Sequence, residues 1–256
     1  MSWDLITLIL TSHPADIQAG EGSDKVLIVE PQLENRTAPR TRIITKTVSQ
    51  LLWERDSGEH WRNHHKLFKT LLRVSGAKAL LGTLFEPAFH DLCVHGATFT
   101  LYPMHRTTGP ANFLFKNNQR ADSNSQTLEL QAQTRVFFDE EDNKITSLLA
   151  DHYYQPIAAN NPSFDSFIYD PNSHQISAFQ VTTADDHDLN PNGIIGLHDL
   201  GRDLKIVDLK IRMITVIIAD AKITYRVPKG LIQSLHSEVY VVGVTEKQLY
   251  PCSEVS

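Results

Sequence analysis

The sequence predicts a mixed α/β fold, a sheet with helices packed on it, and three observations predict it. Between Thr47 and His95, apolar residues recur at helical spacing. From Thr98 onward, short β-rich runs alternate with turn residues. One later helical stretch, Asn192 to Leu204, precedes two β-branched runs. The order is helices, a helix-to-strand unit, a β-meander, a hairpin, then helix and strands, which is an α/β or α+β arrangement.

Each element has a local reason. Ala15 to Asp24 is polar and glycine-containing and reads as a loop; Val26 to Glu30 is a short apolar run that suits a strand; Pro31 to Arg42 has loop chemistry. Val48, Leu51 and Leu52 fall at i, i+3, i+4 and predict a helix over Thr47 to Arg55. Trp61, Leu67, Phe68, Leu71 and Leu72 predict a second helix that ends before Gly76. A third runs from Ala77 to about His95, with Pro87 expected to kink it or mark a break, and Gly96 as its stop. Thr98 to Tyr102 and Thr127 to Leu130 read as strands. So do Thr134 to Phe138 and Ile145 to Leu149, joined by the acidic turn Asp139 to Lys144. Ser163 to Tyr169 and Gln175 to Thr182 flank Asp170-Pro171-Asn172-Ser173-His174, a strong turn, and predict an antiparallel hairpin. Arg212 to Ala219 and Glu238 to Val244 are β-branched and predict two core strands.

Composition bounds the function. The chain has 256 residues, 41% hydrophobic and 21% charged, enough for a real core and against general disorder. With 24 Lys+Arg against 30 Asp+Glu the net charge is −6, which excludes a histone-like coat but leaves room for a local basic face. Cys93 and Cys252 make neither a disulfide framework nor a thiolate zinc site, and Cys93 reads as a small core residue. Leu5 to Leu10 is too short an apolar run to span a membrane and lacks the basic flank of a signal peptide. An intracellular location is the default expectation, with nuclear entry open. Arg36, Arg40, Arg42 and Lys46 are too dispersed for a nuclear signal.

No phosphate-binding loop, nucleophile elbow or H-E-x-x-H is present; Gly20 to Lys25 fits none of them. His64 and His65, with His60 nearby, are the densest histidine cluster. Adjacent helical residues point about 100° apart, so they do not chelate one metal, and a solvated face is expected. Arg62, Lys66, Lys69 and Arg73 fall at i, i+4, i+7, i+11 and form one stripe. Such a stripe can track a phosphate backbone; the plainer alternative is an exposed helix face opposite Leu67, Leu71 and Leu72. Glu86, Asp165 and Gln180 form the sharper constellation. Asp165 starts one strand of the hairpin, while Gln180 and Thr182 share a face near the end of the other. Two carboxylates and an amide at a sheet end suit a hard divalent cation, which activates water and neutralises phosphate charge. The plainer alternative is that Asp165 caps a turn and Gln180 is satisfied inside the sheet.

Thr83-Leu84-Phe85-Glu86 with His90, Leu92, Gly96 and Thr98-Phe99 resembles the first signature block of a fungal family, the Crinkler-type and retrotransposon-hot-spot-type (RHS) proteins. Phe164 to Pro171 is similar to that family's D-S-x-x-Y-D-P block. Ala178 to Thr182, followed by His187 and Gly193, is similar to its x-F-Q-x-T…H…G block, and Val239 to Leu249 to its ending. The resemblance spans roughly Val26 to Tyr250. It implies a restriction-endonuclease-like domain of the PD-(D/E)XK superfamily: an α/β mixed sheet flanked by helices, with a helical N-terminal arm. By the same resemblance Asp165 takes the first metal-binding position and Gln180 the second acidic position. Glu86 is the helix-borne carboxylate, and Thr182 stands where that strand carries its lysine. The implied cofactor is Mg²⁺ or Mn²⁺, weakly held by Glu86, Asp165 and the Val181 carbonyl, with His187 as a substitute base.

The resulting expectation is an arm over residues 1–75 and a nuclease-like domain over 76–256. A β insertion at about 105–160 includes Asp139 to Asp151. The expected function is that of a divergent metal-dependent nuclease acting on or binding DNA. The alternative is a catalytically degenerate nuclease fold serving as a nucleic-acid- or protein-binding effector. The nucleic-acid-binding residues are Arg62, Lys66, Lys69 and Arg73. Many family members carry an upstream P-loop ATPase module, so a protein partner or a separate module of that kind is a further expectation, and a membrane is not.

Overall fold

The computed structural model describes residues 27–30, 40–43, 59–74, 77–109, 112–116, 124–139, 143–157, 163–231 and 239–251. The expected loop at 15–24, the expected helix at 47–55 and Cys252 lie outside them. The fold is mixed α/β, with two compact units: Met1–Ala88 with Tyr250–Ser256, and Phe89–Leu249. Among the described residues, no helix is long and apolar enough to cross a membrane.

In the first unit, β1 (Leu27–Glu30) and β2 (Arg40–Ile43) pair antiparallel, Leu27 opposite Ile43 and Glu30 opposite Arg40. The end of the expected loop is therefore a strand. Helix α1 (Glu59–Leu72) buries Leu67, Phe68 and Leu71 and exposes Arg62, Lys66 and Lys69. The histidine pair departs from expectation. His64 is 3% and His65 8% exposed, so neither lies on a solvated face. The reason is position: His64 precedes Leu67 and Phe68 by three and four residues, which puts it on the apolar stripe. His65 stacks on Tyr250 with ring centroids 4.9 Å apart, and Phe68 tilts against Tyr250 and Phe85.

Helix α2 (Lys78–His95) carries Pro87 inside its length without ending there. It stops at Gly96, whose φ of +95° and whose missing side chain the turn both require. A Cβ there would lie 3.1 Å from the Leu130 carbonyl oxygen.

The second unit is built on two sheets. In chain order its strands are β3 (Ala97–Pro103), β4 (His105–Thr108), β5 (Asn112–Lys116), β6 (Gln126–Leu130), β7 (Thr134–Phe138), β8 (His152–Pro156), β9 (Ser166–Asp170), β10 (Gln175–Val181) and β11 (Asp186–Asp188). Helix α3 (Pro191–Asp203) follows, then β12 (Lys210–Ile218), β13 (Thr224–Pro228), β14 (Val239–Val244) and a single turn, α4 (Glu246–Leu249). The large mixed sheet has the order β6-β3-β14-β12-β10-β9-β8-β7 and the small one β11-β13-β5-β4. Strands β8, β9 and β10 form an antiparallel meander, and β10 runs parallel to β12 after the α3 crossover.

The hairpin expected from Ser163 to Thr182 is present as β9 and β10, with Phe167 opposite Ala178 and Tyr169 opposite Ile176. The expected hairpin around Asp139 to Lys144 is not. Strand β7 pairs with β8 in parallel, a pairing no tight turn can make, and Ile145 to Leu149 is not a strand. Ile145 and Leu148, three residues apart, instead lean on the core without a ladder partner.

Strand β10 is buried on both faces from Ile176 to Val181, with Ser177 and Gln180 as its buried polar residues. Phe179 meets Phe89 edge-on at 5.5 Å and lies 6.4 Å from Tyr153. On the opposite face, Ile176 and Ala178 join Phe167, Met213 and Ile217 against Ile194 and Leu197 of α3 and Tyr225 and Val227 of β13. Asn190 caps α3 by accepting from the Asn192 amide, and Pro191 supplies a preset first helical residue. A Cβ on Gly193 would sit 2.5 Å from Ser163 Cβ, so only glycine lets the first turn of α3 lie on the segment leading into β9.

Candidate functional site

The hairpin assembles the central residues. Asp165 precedes β9, and its amide donates to the Phe179 carbonyl, one residue out of the register in which Phe179 pairs with Ser166. The Asp165 side chain meets that of Gln180. Its Oδ2 accepts two hydrogen bonds, from Gln180 Nε2 at 2.9 Å and from the Val181 amide at 2.7 Å. Gln180 and Val181 are buried, at 7% and 9% exposure, so water competes poorly for those donors. On the next strand Gln180 pairs with Thr215, and paired residues share a face. Asp165, Gln180 and Thr215 thus form one polar row, joined by the Gln180–Asp165 hydrogen bond and the Gln180–Thr215 pairing. Thr215 is fully buried and its hydroxyl has no hydrogen-bond partner.

Thr182 continues β10, donating its amide to the Val216 carbonyl at 2.9 Å while its Oγ1 accepts from the Ala184 amide at 3.0 Å. The hydroxyl therefore braces the turn that follows. His187 belongs to β11 in the small sheet, where it is paired with Tyr225 and stacked on its ring at 5.6 Å and 7°. Burial lowers the His187 pKa below its ordinary 6.5, opposed by the nearby Asp188 charge. The imidazole is thereby neutral at neutral pH. Tyr225 is fully buried with its hydroxyl unpartnered; burial, then the charges of Asp165 and Asp188, push its pKa up. Glu86 is half-buried on α2 within the first unit. Arg62, Lys66 and Lys69 on α1, and Arg73 in the turn after it, are exposed in that unit.

The resemblance also singles out His90, and the structure gives it a structural place. Its Nδ1 shares a 2.7 Å hydrogen bond with the Tyr153 hydroxyl, which shares another, at 2.6 Å, with Ser166 Oγ. All three side chains are buried on the Phe179 face. Cys93 lies beside Tyr153, and burial pushes its thiol well above the ordinary value, which keeps it protonated and inert.

Asp165 and Gln180 were legible as residues on the two strands of one hairpin; Thr215 and Tyr225 were not singled out. The available signal for Thr215 was a lone hydroxyl inside the run Ile211 to Ile218. As a cation site this unit's donor set is thin. It offers one carboxylate whose Oδ2 already accepts two N–H groups, and one amide that turns its NH₂ toward it. A hard divalent ion takes about six oxygens. Among the described residues, no three His, Cys, Asp or Glu side chains group together. No family model, no curated protein and no solved structure matches the chain.

Proposed function

We propose that the chain is a DNA-binding module on a degenerate restriction-endonuclease-like core, as its resemblance to the Crinkler-type and RHS-type proteins implies, and that it cuts DNA slowly or not at all. The observation that carries this reading is the donation from Gln180 to Asp165. In a two-carboxylate site, facing acids repel and a cation must hold them. Here a neutral amide satisfies the acid directly, so the pair is stable without a metal.

Two further observations support it. Thr182 brings no positive charge to stabilise a hydroxide, and such electrostatic terms are typically worth a few kcal/mol. His187, the remaining base, is on the small sheet rather than beside Gln180 on β10. The sequence of a helix, a hairpin, a crossover helix and a parallel strand in α2, β9-β10, α3 and β12 is compatible with the core that the resemblance implies, and the resemblance is why DNA is the proposed ligand. Mg²⁺ or Mn²⁺ binds weakly in this reading, and no step depends on it.

The test is a labelled duplex titrated by fluorescence anisotropy at several salt concentrations, with a parallel plasmid-nicking assay in Mg²⁺ and Mn²⁺. Salt-dependent binding with no rapid nicking is expected. Absence of binding overturns the function, and rapid nicking that survives Asp165→Ala overturns the site.

A further inference from the structure

The outermost strand of the large sheet carries a feature that the Asp165 site does not explain. Strand β7 ends the order β6-β3-β14-β12-β10-β9-β8-β7, and Phe137 on it is 46% exposed. Among the described residues no other Phe, Tyr or Trp is exposed. A single exposed apolar side chain needs no explanation by itself. This one has polar company. Phe137 pairs with Gln155 of β8, and paired residues share a face. Arg135, two residues earlier on β7, lies on that face too, its Cζ 6.0 Å from the centroid of the Phe137 ring. Gln155 Oε1 and Arg135 Nε are sealed from solvent, and neither has a hydrogen-bond partner among the described residues. One acceptor and one donor therefore stand unused beside one exposed ring, and a buried polar atom without a partner calls for a reason.

Two arguments narrow what such a place takes. Arg135 Nη2 donates to Asp91 Oδ1 at 2.5 Å, so the guanidinium charge is already balanced and offers little to a phosphate. An apolar covering surface would hide the ring but leave Oε1 and Nε unpaired, which is unfavourable for a buried donor and acceptor. An unpaired nucleobase suits all three groups. It is neutral, its face stacks on an aromatic ring, and its edge carries both donors and acceptors. The terminal torsion of a glutamine is broad, so the Gln155 amide can turn its oxygen toward such an edge. In a duplex the base faces are covered by their neighbours, so the base has to come from a single strand.

We infer that Phe137, Gln155 and Arg135 bind an unpaired nucleobase of a DNA strand, with Phe137 stacked on its face and the Gln155 amide and Arg135 Nε hydrogen-bonded to its edge. This rests on the DNA-binding reading above and deepens it by naming the form of DNA, single-stranded, that the outer edge of the large sheet holds.

The experiment compares the parent with Phe137→Leu by anisotropy on a labelled single strand and a labelled duplex across a salt series. Matching circular dichroism and melting temperature confirm the fold. The expected result is single-strand affinity lower by about 5- to 100-fold, the loss of one base–aromatic stack, at an unchanged salt slope, because Phe137 neutralises no phosphate. Duplex affinity should not change. Phe137→Trp should keep the affinity and add fluorescence that the single strand quenches. Gln155→Met, which keeps the volume, should narrow the parent's spread of affinities among short strands of A, C or T alone. If the parent binds single strands and Phe137→Leu binds them equally well, this inference falls and the DNA-binding reading stands. If the parent binds neither form of DNA, both fall. If the loss appears equally on duplex, or comes with a flatter salt slope, the ring is not a stacking platform and the inference is wrong. If Phe137→Leu turns a dimeric parent monomeric in light scattering, the ring is an interface between copies, which also overturns it.

Discussion

Removing the Asp165 carboxylate should unfold the hairpin end more readily than any surface change nearby. Its Oδ2 holds two N–H groups, on Gln180 and Val181, which are themselves almost fully buried. Asp165→Ala leaves both donors without an acceptor, and each unsatisfied buried donor costs about 1–3 kcal/mol. Because Asp165 is only half-buried, water reaches part of the gap, and about 3 kcal/mol in total is the working figure. Against a total stability of roughly 5–15 kcal/mol that is a large fraction. Asp165→Asn keeps an oxygen that can face both donors and should lose about 1 kcal/mol, the difference between charged and neutral acceptors. Urea unfolding followed by circular dichroism measures both. With m of about 1–3 kcal/mol per molar, the alanine variant should shift the midpoint by about 1 M or more at unchanged m. Gln180→Met completes a cycle, in which a coupling energy of about 1–2 kcal/mol with Asp165→Ala is expected. An Asp165→Ala protein within about 0.5 kcal/mol of the parent would refute the reasoning, because the two hydrogen bonds would then contribute nothing net.

Three other outcomes follow from the same geometry. Changing Arg62, Lys66, Lys69 and Arg73 together to Ala should flatten the DNA salt slope by about 3–4 if the exposed α1 stripe contacts phosphate, and an unchanged slope makes it an ordinary solvated face. Burial depresses the His187 pKa below 6.5, so the unfolded chain takes up the proton more readily than the folded one. The stability due to neutral His187 is present above that value and lost as pH falls below it. His187→Phe, which keeps the stack on Tyr225, should therefore make melting temperature less sensitive to pH between about 7 and 5.5. Finally, Gln180→Glu sets a second carboxylate against Asp165 and should lower the melting temperature, with Mn²⁺ restoring it. Adding Thr182→Lys should then give divalent-dependent nicking if the geometry is that of a nuclease.

The histidines of α1 and the segment after β7 show where local reading stops. Polarity suggested a solvated pair at His64 and His65, but a helix buries whatever its apolar stripe includes, and Tyr250, nearly two hundred residues later, provides the ring that covers His65. Likewise the acidic turn after Phe138 suggested a hairpin, whereas β7 reaches the sheet through β8 in parallel. The short strands β11 and β13 do not stand out in the sequence, and β4 and β5 fall only within the broad β insertion expected at about 105–160. Their runs are only three to five residues long, and β5 and β13 are joined across the chain, as Thr224 is to Lys116.

What the chain determined by itself were features whose cause is local. Helical periodicity set α1, α2 and α3, and β-branched runs bounded by Asp, Pro, Asn and Gly set the β9–β10 hairpin, β12 and β14. Even spacing put Gln180 and Thr182 on one face of the second strand, with Asp165 at the start of the first. Tertiary structure decided the rest. It turned Gln180's amide into Asp165's hydrogen-bond donor, set Thr215 beside it from another strand, and laid His187 on Tyr225 in a different sheet. Those contacts join residues far apart in the sequence, and the pairing is selected by which faces can be buried together, a quantity that exists only once the whole sheet has formed.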